Sequence, residues 1–218
     1  MKSTNKLKGL FAVLFFCGIA QSASSQTLKD VFTNSETPIF YLGIDFTKAR
    51  VINDPGANAM DIRNRLFASI NSVVVNEPKK YDIAGAFHKG FVGSDLSAVN
   101  ANNEKVNAEN LLSGSSSDFN RLKESDIMSA VKALNLGDKK GIGFLFVMEG
   151  MKKDDKKGDA AIWATIIDMK TKKVLLTERF ESRATGIGFR NFWASTIKET
   201  LDEIEKKKYK DWKRTYGG

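Results

Sequence analysis

The stretch "GIGFLFVMEGMKKDDKKGDAAIWATIIDMKTKKVLLTERFES" (141–182) decides the predicted fold. It contains three runs rich in apolar and β-branched residues, at 141–149, 160–168 and 174–182, and these runs predict three strands. The first run is apolar on both faces, which is typical of a central strand. Because short connections join the runs, we expect consecutive strands to pair antiparallel, as a three-stranded meander.

The residues on either side of this stretch predict the remaining elements. A strand is expected at 39–46, a helix from about 57 to 75, a weaker strand at 81–87 and a helix at 126–137. The strongest helical pattern begins at Phe189, where apolar residues recur at i, i+3, i+4 spacing. The predicted fold class is α+β: a two-layer sandwich whose mixed sheet ends in the three-stranded antiparallel meander, with helices packed mainly on one face and a long C-terminal amphipathic helix.

The amino-terminal 25 residues have the three-part pattern of a secretory signal peptide. Three lysines precede an apolar run from Leu10 to Ala20, which is shorter than the roughly 20 residues that span a bilayer. We therefore expect a mature chain without a transmembrane span, either periplasmic or extracellular. Residues 26–218 predict a single α+β domain, in which 90–124 is a flexible segment rich in Asn and Ser.

Cys17 leaves lipoprotein processing open as an alternative. A lipobox requires a small residue directly before the cysteine, whereas Phe16 is large, so an outer-membrane lipoprotein is the less favoured interpretation. Cys17 is the only cysteine of the chain. If it leaves with the signal peptide, the mature chain has no disulfide, no thiolate catalyst and no cysteine metal site.

Positive charge is concentrated at the C-terminal end, 206–218. Without the three lysines of the predicted signal, 31 cations face 26 acids, a formal net charge of +5. The favoured interpretation of these charges is a solvated tail that keeps the protein soluble. Because an exported protein meets no nucleic acid, the alternative is contact with an anionic envelope polymer or peripheral contact with a membrane. The candidate surface-binding residues are Lys206, Lys207, Lys208, Lys210, Trp212, Lys213 and Arg214.

Trp212 allows a second interpretation. It follows Ile204 by eight residues, and this spacing extends the apolar stripe of the last helix. In that case the indole packs in the core and takes no part in surface binding.

The glycines of "ATGIGFRN" (184–191) lie between the last predicted strand and the last helix. Their spacing matches neither the dinucleotide-binding motif nor the P-loop. The favoured interpretation is a corner at which glycine lets the chain reverse. The alternative is an anion- or partner-binding site formed by free backbone N–H groups at the helix start and nearby cations. The candidate residues are Arg183, Gly186, Gly188, Arg190, Lys152 and Lys153.

Residues for catalysis or metal binding are sparse. His88 is the only histidine, and no nucleophile motif or second ligand surrounds it. Pairing of the first two strands across 150–158 places Glu149 opposite Asp159, and leaves Asp168 roughly 30 Å from Glu149. We therefore expect no enzyme, no metal and no cofactor, with a hydrolase that uses Glu149 and Asp159 as the last alternative.

Two resemblances carry further implications. The hairpin "ATIIDMKTKKVLLTERF" (164–180) resembles the domain shared by the amino-terminal regions of TolB and the curli-secretion protein CsgG. In those proteins a strand ending in Asp passes through a Thr-Gly turn into the next strand; here Asp168 and Thr171 match, and Lys172 replaces the glycine. The C-terminal part, including "GFRNFWA" (188–194), resembles an uncharacterised family of exported proteins of Gram-negative bacteria. The resemblances imply this fold, residence in the envelope and a non-enzymatic part in an assembly.

The sequence therefore predicts an exported, non-enzymatic interaction or assembly protein of the cell envelope. Its expected partner is an envelope protein or an anionic envelope polymer. A small-anion-binding periplasmic module that uses the glycine loop before the last helix is the alternative.

Overall fold

The computed structural model describes residues 27–155 and 157–218. The predicted signal peptide and Cys17 lie outside the described residues. The described chain begins with helix α1 (Leu28–Thr33), which Thr27 and Asp30 cap reciprocally at its first turn. It then enters the sheet through β1 (Ile39–Asp45) and β2 (Arg50–Ile52).

Short elements connect and cover the sheet in the middle of the chain. Helix α2 (Ala59–Asp61) continues through a π-helical turn (Ile62–Leu66) into α3 (Phe67–Asn76). The elements that follow are α4 (Ile83–Ala86), β3 (Val92–Ser94), α5 (Ser97–Asn103), a 3₁₀ turn (Ala108–Asn110), β4 (Leu112–Ser113), a second 3₁₀ turn (Ser116–Asn120) and α6 (Glu124–Ala133). The predicted strand at 81–87 is wrong, because Asp82 accepts a hydrogen bond from the Gly85 backbone and starts α4 there.

Three long strands and one long helical segment complete the fold. The strands are β5 (Ile142–Asp154), β6 (Lys157–Asp168) and β7 (Lys173–Ala184). Helix α7 (Phe189–Glu203) continues through a second π-helical turn (Ile204–Lys208) into α8 (Tyr209–Tyr216). The apolar spacing that predicts the last helix thus extends nearly to the end of the chain.

The seven strands form one sheet around β5. Strands β1 and β2 follow one another along the same side of β5, where Ile39 pairs with Ile142 and Val51 with Met151. Both run parallel to β5. On the side away from β5, β1 pairs in parallel with β3, and β2 pairs in parallel with β4. On the other side of β5, β6 and then β7 pair antiparallel.

The predicted fold class is wrong. Four of the six strand pairings are parallel, where a two-layer α+β sandwich with a meander was expected. Helices also cover both faces of the sheet, as alternate side chains of β5 show. Phe144 and Phe146 belong to one core cluster, which includes residues of α3, α7 and α8, whereas Leu145 and Val147 pack with α5 and α6. A strand that is apolar on both faces requires such cover on both.

Buried amides hold the Asn-rich part of 90–124 against the sheet. At the end of β1 the ladder shifts near Gly43, which has φ 105°. Asn71 bonds both backbone groups of Ile44, at 2.7 Å to its N and 3.1 Å to its O, and Asn103 donates to the same oxygen at 2.9 Å. These side chains satisfy backbone groups that the ladder leaves unpaired.

Candidate functional site

The hairpin of β5 and β6 reaches further than the sequence predicts. Strand pairing continues to Asp154 and Lys157, so most of the expected loop 150–158 is strand. A register shift between Met148 and Gly150 places Lys152 opposite Asp159. The expected Glu149–Asp159 pair is therefore wrong.

Glu149 is instead a fully buried structural carboxylate. It accepts hydrogen bonds from the backbone N of Arg121 at 2.5 Å and of Leu122 at 2.7 Å. The Trp163 indole donates to it at 3.0 Å and Arg179 Nε at 2.9 Å. Four donors saturate the carboxylate and fix residues 121–122 against the sheet.

A cleft of about 980 Å³ lies where the glycine loop meets the hairpin tip. Gly186, Gly188, Arg190 and Lys153 line it, so the structure brings four of the six candidate residues together. The opposite wall comes from residues 54–69, which sequence reasoning did not include. That wall contributes Asp54, Gly56, Ala57, Asn58, Asp61, Ile62, Arg65, Leu66 and Ser69.

The two remaining candidates lie outside the lining of this cleft. Lys152 lines a neighbouring cavity of about 730 Å³, and its ammonium lies 4.8 Å from the centre of the Phe119 ring. Arg183 is exposed, with its Nε 3.9 Å from Asp159 Oδ1. The four candidate cations therefore do not form one cluster around the two glycines.

Among the described residues, the charges that line the 980 Å³ cleft are balanced. Arg65 bonds both carboxylate oxygens of Asp61, at 2.8 and 2.7 Å, and Lys153 Nζ lies 3.0 Å from Asp54 Oδ1. Asp155 and Arg190 are the other charged residues of this described lining. Within 27–155 and 157–218, three acids thus face three cations around the cleft.

The glycine loop serves as both a corner and a cleft wall. Gly186 has φ 111° and Gly188 has φ 76°, conformations that favour glycine, and α7 begins directly after Gly188. Phe192 closes tightly over Gly158 of the hairpin, where a Cβ atom would lie 2.5 Å from the phenylalanine ring. Between the two loop glycines, Ile187 is 92% exposed and lines the cleft.

The basic C-terminal end is anchored by a buried tryptophan. Trp212 is 5% exposed, and its ring centre lies 6.3 Å from those of Phe87 and Phe180. Its indole donates to Glu178 at 2.6 Å, and Lys208 pairs with the same carboxylate. The hydrogen bond between Lys208 and Glu178 raises the pKa of Lys208. The structure therefore places Trp212 in the core, away from any surface contact.

The remaining candidate cations of this end lie on the surface. Lys206 pairs with Asp202 at 3.3 Å and Arg214 with Asp211 at 2.9 Å. A third group, Lys207, Lys210 and Lys213, is exposed and, within 27–155 and 157–218, has no carboxylate at salt-bridge distance. We call these three lysines the basic face.

The described residues contain neither a cluster of metal ligands nor a membrane-spanning helix. In that part of the chain no group of three or more His, Cys, Asp or Glu side chains could hold a metal ion. Over the same residues, no helix combines the length and the apolar character needed to cross a membrane.

His88 has φ 50° and stacks on Tyr209 with ring centres 4.1 Å apart, a packing contact that ties the chain after α4 to α8.

The chain matches no protein-family model and no curated protein. Among solved structures it is similar to the PelC dodecamer from Paraburkholderia phytofirmans, with 12% identity over 77% of this chain and 87% of that chain and a TM-score of 0.33. The lipoprotein GNA1162 from Neisseria meningitidis shows 10% identity over 77% and 99% of the two chains, with a TM-score of 0.27. A neuraminyllactose-binding hemagglutinin homologue from Helicobacter pylori shows 10% identity over 84% and 92%, with a TM-score of 0.26. These scores carry no argument about function, and the resemblance to TolB and CsgG stays a prediction.

Proposed function

We propose that the chain is an exported, non-enzymatic interaction protein of the cell envelope that binds an anionic envelope polymer through the basic face. The observation that carries this proposal is the exposure of Lys207, Lys210 and Lys213 without a carboxylate partner among the described residues. Lysines that no internal acid neutralises attract polyanions over several ångströms and raise the rate of association.

The attachment of this helix to the core supports the proposal. Trp212 and Lys208 both bond to Glu178, and Tyr209 stacks on His88. The lysines therefore project from a helix that is already held in place. Binding then costs less conformational entropy than it would for a disordered tail.

The non-enzymatic part of the proposal is supported by the way the acidic side chains are used. Glu149 is saturated by four donors in the core. In the cleft, Asp54 and Asp61 are each held by a cation. A general acid or base needs a free and correctly placed proton site, and these carboxylates are engaged in structural contacts.

Binding of fluorescein-labelled alginate, a polyanionic polysaccharide, tests the proposal. Each lysine near an anionic surface contributes about 1 kcal/mol. The triple variant Lys207→Ala/Lys210→Ala/Lys213→Ala is therefore expected to weaken binding roughly 100-fold. The matched control Lys105→Ala/Lys123→Ala/Lys132→Ala removes the same charge from other exposed positions and should bind nearly as wild type.

Three results would contradict the proposal. The first is wild-type binding that does not weaken as salt rises, because contacts between exposed charges are screened. The second is an equal loss of affinity in both triple variants, which would show only a net-charge effect. The third is recovery of the full chain in the cytoplasmic fraction of cells that express it, which would exclude the proposed location in the cell envelope.

The small-anion alternative finds less support in the cleft. Lys153 is paired with Asp54, and Arg65 with Asp61, so Arg190 is the one cation without an ion pair among the described lining residues. Thermal stabilisation by inorganic phosphate tests this alternative. It requires stabilisation of the wild type that is lost in Arg190→Ala.

A further inference from the structure

Two adjoining cavities meet at the hairpin tip. The cavity of about 980 Å³ and that of about 730 Å³ share four lining residues: Asp54, Gly56, Lys153 and Asp155. The Asp54–Lys153 ion pair, 3.0 Å long, is therefore common to both walls. Small-molecule sites measure about 300–1,000 Å³ each. Together the two cavities have room for a chain of linked units.

The described residues that line the joined cavities carry no net charge. Among them, acids and cations are equal in number: Asp54, Asp61, Asp154 and Asp155 against Arg65, Lys152, Lys153 and Arg190. Two ion pairs, Arg65–Asp61 and Lys153–Asp54, occupy this lining, and a strongly charged ligand that engaged either pair would have to break it. A neutral ligand that offers many hydrogen-bond donors and acceptors meets no such cost.

Apolar and polar surface are distributed unequally between the two cavities. The larger one contains Ile187 and two half-buried rings, Phe189 and Phe192. The smaller one is lined almost entirely by polar and charged residues, among them Asn53 and Ser116. Sugar rings combine an apolar C–H face, which packs on aromatic rings, with hydroxyl groups that bond planar carboxylate, amide and guanidinium groups.

The backbone around the cavities is irregular on both sides. A π-helical turn, Ile62–Leu66, forms part of the larger cavity, and π-bulges are frequent at functional sites. Asn53 and Asp155 line the smaller cavity with φ of 56° and 50°. Left-handed residues other than glycine concentrate at ligand sites.

From these observations we infer that the two cavities form one binding site for an extended neutral oligosaccharide. The larger cavity packs a sugar ring on Phe189, Phe192 and Ile187, and the smaller cavity bonds the hydroxyl groups of the neighbouring units. None of the three lysines of the basic face lines either cavity. This site is therefore separate from the proposed anionic contact.

The test uses three uncharged hexasaccharides: the β-1,4-linked hexamers of glucose and of N-acetylglucosamine, and the α-1,4-linked hexamer of glucose. Binding is measured by titration calorimetry and by tryptophan fluorescence, to which Trp193 of the larger cavity contributes. At least one hexamer should bind more tightly than its dimer, since the dimer cannot reach both cavities. Its affinity should be nearly independent of salt, since the ligand is uncharged.

Two variants and a matched control locate the binding. Arg190→Ala and Ile187→Ser change exposed cleft residues and are each expected to raise Kd by about tenfold. Arg63→Ala is the control, because Arg63 bonds the side chain of its neighbour Asn64 as Arg190 bonds that of Asn191, but lies outside the cleft lining. Circular dichroism confirms the fold of each variant, and the triple lysine variant should keep full affinity for the hexamer.

The inference is overturned if no hexamer binds with a Kd below about 1 mM. It is equally overturned if Arg190→Ala and Ile187→Ser both bind as wild type. Loss of hexamer binding in the triple lysine variant would show that the saccharide uses the basic face, against this inference. Loss of alginate binding in that variant alone, with hexamer binding retained, separates the two sites.

Discussion

Replacement of Glu149 by alanine is expected to destabilise the protein strongly, because this carboxylate joins three separate segments. It accepts from the backbone of Arg121 and Leu122, from Trp163 on β6 and from Arg179 on β7. Arg179 also donates to the Phe119 carbonyl at 2.8 Å. The variant would therefore release the segment that carries Ser116 at the wall of the smaller cavity.

The magnitude follows from the burial of the groups that Glu149 holds. Glu149 is 0% exposed, and the side chain of Arg179 is 20% exposed. Removal of one partner of a buried ion pair costs about 3–5 kcal/mol. This range is the expected cost of the whole substitution, with no further addition for each lost hydrogen bond, because water that enters the space will satisfy some of the N–H groups. For a chain of this size the loss corresponds to a decrease in Tm of about 6–20 °C.

Urea unfolding followed by circular dichroism measures this loss. Glu149→Gln keeps the size and one acceptor oxygen, so its cost should be smaller, about 1–3 kcal/mol. Glu181→Ala is the control, since Glu181 also bonds Arg179, at 2.6 Å, but its side chain is 58% exposed. That change should stay within about 0.5 kcal/mol. A loss below about 1 kcal/mol for Glu149→Ala would refute the argument that the buried carboxylate anchors these segments.

Three further predictions concern stability. Trp212→Ala should cost about 3–5 kcal/mol in urea unfolding, because it empties a buried aromatic site; a cost near zero would mean that the indole is not packed in solution. Gly43→Ala should lower Tm, since φ is 105° and a Cβ would lie 2.9 Å from Leu96 Cδ2; an unchanged Tm would contradict this. Hydrogen bonds from Ser97 hold the pKa of Asp95 below its ordinary value of 3.8, so this stabilisation is present above pH 3.8 and is lost as pH falls through the folded pKa. Ser97→Ala should therefore reduce stability at pH 6 more than at pH 2.5, as urea unfolding at both pH values would show; an equal loss would exclude this linkage.

Local patterns predicted individual elements well. The strand expected at 39–46 is β1, and the helix expected from about 57 to 75 corresponds to α2, the π turn and α3. Such elements depend on the spacing of apolar residues along a short stretch, which the sequence displays directly. At 81–87 the predicted strand is a short helix, α4. A strand and a short capped helix show the same apolar pattern over so few residues.

The candidate site was only half visible in the sequence. Local composition predicts the glycine loop and Lys153 as candidate site residues, and both line the larger cavity. Asp54 and Lys153 are separated by 99 positions, and no local pattern links them. The Lys153–Asp54 ion pair, which disfavours the alternative of a small-anion site, is such a long-range contact.

The sequence by itself determined the long helical and extended segments, the concentration of positive charge at the C-terminal end and the turn at Gly186 and Gly188. These properties depend on residues close together in the chain. The tertiary structure alone decided the parallel direction of β1 beside β5, the cover of both sheet faces, the burial of Trp212 and the partners of Glu149. Each of these joins residues far apart in sequence, and strand direction and side-chain partners follow from how the whole core packs, which short-range periodicity does not encode.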